Sequence, residues 1–192
     1  MDPLEYFNRE LDDHAAVLAK THATMAGPFT EMLELWKTAI ESGHKILFFG
    51  NGGSAADAQH LSAELVVRFI NDRKPIPAIA LNTDTSALTA GANDLGYDQV
   101  FARQIEALGQ PGDIAVGFTT SGTSPNIIAA LEMARKKGLV PMAFTGREGG
   151  MMPELTDACL IVPAQSTRRI QEMHITLGHM LCGALEKSLG LV

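Results

Sequence analysis

From residue 44 onward, short apolar runs alternate with longer segments of helical periodicity. The runs Ile46–Phe49, Ala78–Leu81, Asp113–Thr119, Val140–Thr145 and Cys159–Val162 read as strands. Between and after them, 54–70, 98–108, 125–137 and 168–189 read as helices. Strands that are continuously apolar and separated by helices predict a parallel sheet buried on both faces. Right-handed crossovers then give a three-layer α/β/α sandwich with five parallel strands, whose ligands sit beyond the C-terminal strand ends. Two amphipathic helices precede the first strand. One covers 3–24, with Leu4, Phe7, Leu11 and Leu18 at helical spacing, and Gly27-Pro28 breaks it. The other covers 28–42, with Met32, Leu35, Trp36 and Ile40 on one side and Gly43 closing it. No linker divides the chain, so the pattern predicts a single domain over 1–192. In it a helical segment, 1–43, caps the sheet or packs on another subunit, and 44–192 forms the α/β core.

Composition narrows the class. Hydrophobic residues at 46% and charged residues at 19% suit a folded globular chain. A net charge of −7 argues against general binding to nucleic acid or anionic membrane, and leaves room for a phosphorylated small molecule. No apolar run approaches the roughly 18–20 residues of a membrane span. The N-terminus lacks the basic and apolar regions of a signal peptide, and Cys159 and Cys182 lie in apolar contexts, so a cytoplasmic protein with reduced cysteines is expected.

Two loops change the picture. The first strand runs into Gly50-Asn51-Gly52-Gly53-Ser54 and then a helix, which is how parallel α/β proteins build anion sites. The third strand runs into Thr119-Thr120-Ser121-Gly122-Thr123-Ser124 and a helix opened by Pro125. Capping turns also use serine and threonine. Two such loops at neighbouring strand ends favour a phosphate-ester site. Between them, Asn82-Thr83-Asp84 and Asn93-Asp94 are polar stretches read as a strand-end loop and as a turn or cap.

The helix after the glycine loop carries His60 and Glu64, four apart on one face, with Arg68 continuing the stripe as an ion-pair partner or an anion contact. The last helix carries Gln171 and His179, eight apart and near one face, with His174 off that stripe as a structural residue. His60, Glu64, Gln171 and His179 together form a candidate divalent-metal site with open positions for substrate oxygens.

Read together, Gly50–Ser54, Asp57-Ala58-Gln59-His60 with Glu64, Asn93-Asp94, Thr120–Ser124, and Arg169-Ile170-Gln171-Glu172 with His179 resemble the sedoheptulose-7-phosphate isomerases, also called phosphoheptose isomerases. These belong to the sugar-isomerase (SIS) domain superfamily, with a flavodoxin-like sheet. The resemblance implies interconversion of D-sedoheptulose 7-phosphate and D-glycero-D-manno-heptose 7-phosphate, the first step toward bacterial ADP-heptose and lipopolysaccharide core. It also implies one zinc ion per subunit and a homotetramer with active sites at subunit interfaces. Carried over by position, His60, Glu64, Gln171 and His179 are the metal ligands. Substrate contacts fall to Asn51, Gly52, Gly53, Ser54, Glu64, Asn93, Asp94, Thr119, Thr120, Ser121, Ser124 and Gln171. Glu64 and His179 become the acid/base pair, with Asp94 orienting a hydroxyl or aiding ring opening. The chain departs from several relatives at Ser166-Thr167-Arg168-Arg169, where an acidic residue is missing. Competing expectations are a non-catalytic SIS protein that binds a replication initiator, and an isomerase of another sugar phosphate. Glu64 and His179 favour the enzyme.

Overall fold

The structure, a computed structural model, describes residues 2–192. Five strands, β1 (Ile46–Gly50), β2 (Ala78–Ala80), β3 (Ile114–Phe118), β4 (Val140–Gly146) and β5 (Ala158–Val162), pair in parallel in the order β2-β1-β3-β4-β5. This is the doubly wound order in which the chain reverses direction between β1 and β3. Every residue of β1 and β3 is buried, and side-chain alternation divides them between two cores. Ile46, Phe48, Ile114, Val116 and Phe118 face one core, and Leu47, Phe49 and Ala115 face the other.

Helices cover both faces. On one lie α1 (Pro3–Thr24), α2 (Ala26–Glu41), α3 (Gly53–Val66) and α8 (Thr167–Ser188), the last three contributing Trp36, Leu61 and Leu181 to the first core. On the other lie α4 (Thr85–Leu95), α5 (Val100–Leu108), α6 (Pro125–Lys136) and the short α7 (Met152–Leu155). The N-terminal pair is joined to the sheet layer in two ways. Met32 and Trp36 of α2 enter the core, while α1 is tied to α8 by ion pairs from Arg168 and Arg169 to Glu10 and from Arg169 to Asp13.

Three expectations need correction. The first break falls at Met25, and Gly27-Pro28 lie inside the first turn of α2. Proline is tolerated there because first-turn N–H groups lack intrahelical partners anyway. The polar stretch after β2 is not all loop: Asp84 caps α4, accepting from the Ala87 N–H at 2.9 Å, and Asn93-Asp94 are its last turn, neither a free turn nor the cap of the next helix. The helix predicted over 54–70 stops at Val66, because Arg73 and the N–H of Ile76 take its final carbonyls.

His174 is wholly buried, its ring edge-on to Phe118 and Phe144, with Nε2 3.0 Å from the Thr145 carbonyl. Burial pushes its pKa down to about 4, against the opposing pull of that hydrogen bond. Between about pH 6.5 and 4 the unfolded chain therefore binds a proton that the folded chain refuses, and stability falls as pH falls. Thermal unfolding across this window should show a loss of up to about 3 kcal/mol from this residue. The slope should flatten in His174→Phe.

Candidate active site

At its end β1 is clamped. Asn82 takes the Gly50 N–H at 3.3 Å and returns a bond to the Gly50 carbonyl at 2.8 Å. A Cβ on Gly50 would stand 2.6 Å from the backbone oxygen of Ser54, so only glycine lets the chain double back this tightly. Gly52 follows at φ 58° and ψ −121°, a conformation that side-chain-bearing residues rarely adopt. The Asn51 side chain is already engaged. It exchanges amide bonds of 2.9 and 2.8 Å with buried Asn126 and accepts a 3.0 Å bond from Tyr97.

The loop after β3 is organised by its hydroxyls. Thr119 Oγ1 lies 3.1 Å from Ser124 Oγ and accepts the Gly122 N–H at 3.2 Å, while Ser121 Oγ accepts from Thr123. Gly122, at φ 71°, is pressed against Gly149 and Gly150 of the next loop.

These loops and the start of α8 enclose a cavity of about 260 Å³ lined by Asn51–Ser54, Phe118, Thr119, Thr120, Ser124, Thr167 and Gln171. The N-termini of α3, α6 and α8 all reach it, through Gly53, Ser124 and Thr167. Free N–H groups and helix dipoles there favour an anion. The Gln171 amide lies so close over Gly53 that a Cβ on that glycine would meet it at 2.7 Å.

One face of α3 and one of α8 supply the second part. His60 Nε2 stands 2.8 Å from His179 Nε2 and 3.3 Å from Glu64 Oε1. Ligand atoms of these three residues all lie within 4.8 Å of one another, and the two rings meet edge-on, 5.0 Å between centroids. Tetrahedral zinc bound by nitrogen and oxygen separates its ligand atoms by roughly 3.3 Å, so two imidazoles and a carboxylate in this arrangement fit a divalent cation. Burial lowers the His179 pKa, with His60 adding to the effect and Glu64 opposing it, which favours the neutral ring that a metal or a proton acceptor requires.

The structure thus brings together His60, Glu64 and His179, and separately Asn51–Ser54, Thr119, Thr120, Ser124 and Gln171. Ser121 is turned to its own loop. Asn93 and Asp94 stand apart, exposed and hydrogen-bonded to each other at 2.7 Å, with Asp94 in a groove between α4 and α5. Arg68 is exposed, and the ion-pair partner of Glu64 is His60. Asp57, one helical turn before His60, enters the sequence reading only as part of a motif and is given no role there. Burial pushes its carboxyl up to about 6, against the pull of His60, and one oxygen is buried with no hydrogen-bond partner. Its spacing along the Gly53, His60, Glu64 face was the available signal.

Residues 11–146 match the SIS domain family, so fold and site together define a SIS-domain protein. Among relatives, the phosphoheptose isomerase of Paramagnetospirillum magneticum is 55% identical over 181 residues, 94% of each chain. That of Aquifex aeolicus is 57% identical over 150 residues, 78% of each. The solved phosphoheptose isomerase of Neisseria gonorrhoeae superposes with a TM-score of 0.91 at 39% identity, covering 96% of this chain and 98% of the other. The chain belongs to the phosphoheptose isomerase family, whose members are sugar-phosphate isomerases.

The two halves meet where Gly178 of α8 touches Leu61 of α3: a Cβ at Gly178 would stand 2.4 Å from a methyl of that fully buried leucine. Gly178→Ala should therefore force the helices apart, costing about 1–3 kcal/mol. Thermal unfolding should show that loss.

Proposed function

We propose that this chain interconverts D-sedoheptulose 7-phosphate and D-glycero-D-manno-heptose 7-phosphate through an enediol, at the start of the route to ADP-heptose and lipopolysaccharide core. The observation that carries this reading is the convergence of Glu64 and His179 beside His60, along the same two helices whose first turns line an anion cavity. His60 follows Gly53 by seven residues, about 10 Å along α3, a span suited to a seven-carbon sugar with a terminal phosphate.

In this mechanism the backbone N–H groups and hydroxyls of Gly52–Ser54, Thr119, Thr120 and Ser124 hold the phosphate and fix the register of C1 and C2. Gln171, on the cavity wall, contacts sugar hydroxyls. Glu64 takes the proton from carbon and redelivers it to the neighbouring carbon. His179, held neutral, moves the proton between the two oxygens. Each positioned acid or base contributes about 10²–10⁴-fold. His60, Glu64 and His179 would hold one divalent cation, zinc by family resemblance; Gln171 is assigned as a fourth ligand by that resemblance alone, since its amide lies over Gly53 on the cavity wall. When bound, the cation supplies Lewis-acid polarisation of the carbonyl and hydroxyl oxygens. Asn93, Asp94 and Ser121 remain assigned to the substrate by resemblance alone. Asp94 has the weakest support as a catalytic group, because it lies outside both parts of the site.

The chain works as one domain over 1–192, with 1–43 as its helical segment, and assembles as a homotetramer with active sites at subunit interfaces. Support comes from Leu4, Phe7, Leu11 and Leu18, exposed on α1, and from an apolar groove beside His179 lined by Phe29, Phe69, Ile70, Met180 and Val192. A cytoplasmic location accords with a phosphorylated substrate. Among the described residues no helix is long and apolar enough to cross a membrane.

Purified protein should convert sedoheptulose 7-phosphate, lose turnover on chelation and regain it with zinc. Glu64→Gln and His179→Gln should each lower turnover at least about 10²-fold with the fold and assembly intact by circular dichroism and size exclusion. Near-full turnover in either variant would remove that residue from the proton-transfer pair.

A further inference from the structure

The connection between α3 and β2 buries an ion pair that the chemistry above does not use. Arg73, its side chain fully buried, directs Nε to Glu186 Oε1 at 2.6 Å. Its Nη2 donates to the Glu64 carbonyl at 2.8 Å, and its Nη1 to the carbonyls of Leu65 at 2.7 Å and Lys74 at 3.0 Å. Glu186 Oε1 also accepts the N–H of Phe69 at 3.1 Å. The Phe69 ring lies 5.5 Å from that of His179, centroid to centroid.

The last carbonyls of a helix have no partner within it, and Glu64 belongs to the final turn of α3. Without capping, that turn is the part of the helix most prone to fray. One guanidinium closes it, using the forked donors that a lysine lacks. Glu186 follows His179 on α8 by seven residues, two turns later on the same face. The pair therefore ties the turn that presents Glu64 to the helix that presents His179, and seats Phe69 against the imidazole. Apolar side chains of similar volume commonly replace a buried ion pair without loss of stability. None of them holds three carbonyls and an N–H in place.

We propose that Arg73 and Glu186 are positioning residues for the isomerisation, setting the separation and alignment of Glu64 and His179. This rests on the isomerase reading given above. The test compares Arg73→Lys, Glu186→Gln, Glu186→Met and the double variant R73M/E186M with the wild type, using sedoheptulose 7-phosphate and thermal unfolding. Turnover should fall about ten- to a hundredfold in Arg73→Lys and in the double variant, as expected for displacements near 1 Å. KM should stay within about threefold, because the phosphate cavity is untouched. Glu186→Gln keeps an oxygen for both donors and should recover most of the turnover that Glu186→Met loses. A folded double variant within threefold of wild-type turnover overturns the proposal, as does a loss carried mainly by KM or a glutamine variant no better than methionine. Failure of every variant to fold also overturns it, since the pair would then serve the fold alone. A wild type without turnover overturns the isomerase reading and this proposal with it, whereas an active wild type with unaffected variants overturns the proposal only.

Discussion

The close approach of α3 and α8 is the constraint from which the site follows. Three contacts set it along their length: Gly53 under the Gln171 amide, Gly178 against Leu61, and the His60 and His179 rings edge-on. A side chain at Gly178 would have to displace Leu61, which is fixed by packing, and one at Gly53 would have to push the Gln171 amide aside. Neither helix holds a complete constellation. The distance between them decides whether the His179 imidazole joins the His60 and Glu64 pair of α3 in one site or stands apart from it.

That constraint also explains how the remaining architecture is used. A doubly wound parallel sheet brings the first turns of the helices that follow its strands to one edge. Here three of those turns surround one cavity, while the metal-fitting cluster lies farther along two of the same helices. The anion end is built of backbone and hydroxyls at strand ends. The metal-fitting cluster is built of side chains on helix faces. The sheet supplies the first by topology, and helix–helix packing supplies the second.

Much of this was legible in the sequence because its signals are local and periodic. Continuous apolar runs marked the strands to within a residue or two, and the i, i+4 spacing put His60 beside Glu64, whereas Gln171, eight residues before His179, lies over Gly53 on the cavity wall and outside the His60, Glu64 and His179 cluster. Helix limits were less legible where distant groups decide them. The guanidinium that ends α3 at Val66 comes from Arg73, and no propensity within 54–70 announces it. The Thr85–Leu95 segment hid for another reason: no residue of α4 is fully buried, and its apolar face is slight, with only Leu88 and Ala92 packed against the core. Asp57 was given no role because an acidic residue in a helix reads as solvated until its neighbours are known.

The wall of the anion cavity contains no charged side chain; it is asparagine, glycine, serine, threonine, phenylalanine and glutamine. In a chain of net charge −7, the attraction that these lining residues offer an anion comes from fixed dipoles and not from counter-charges. Backbone amides and hydroxyls do not titrate in the physiological range. The grip of such a pocket therefore follows the ionisation of the guest, whose second phosphate proton leaves near pH ~6. The lining within this chain is electrically silent: a phosphorylated guest there would meet peptide groups and hydroxyls, whose dipoles no change of protonation can erase.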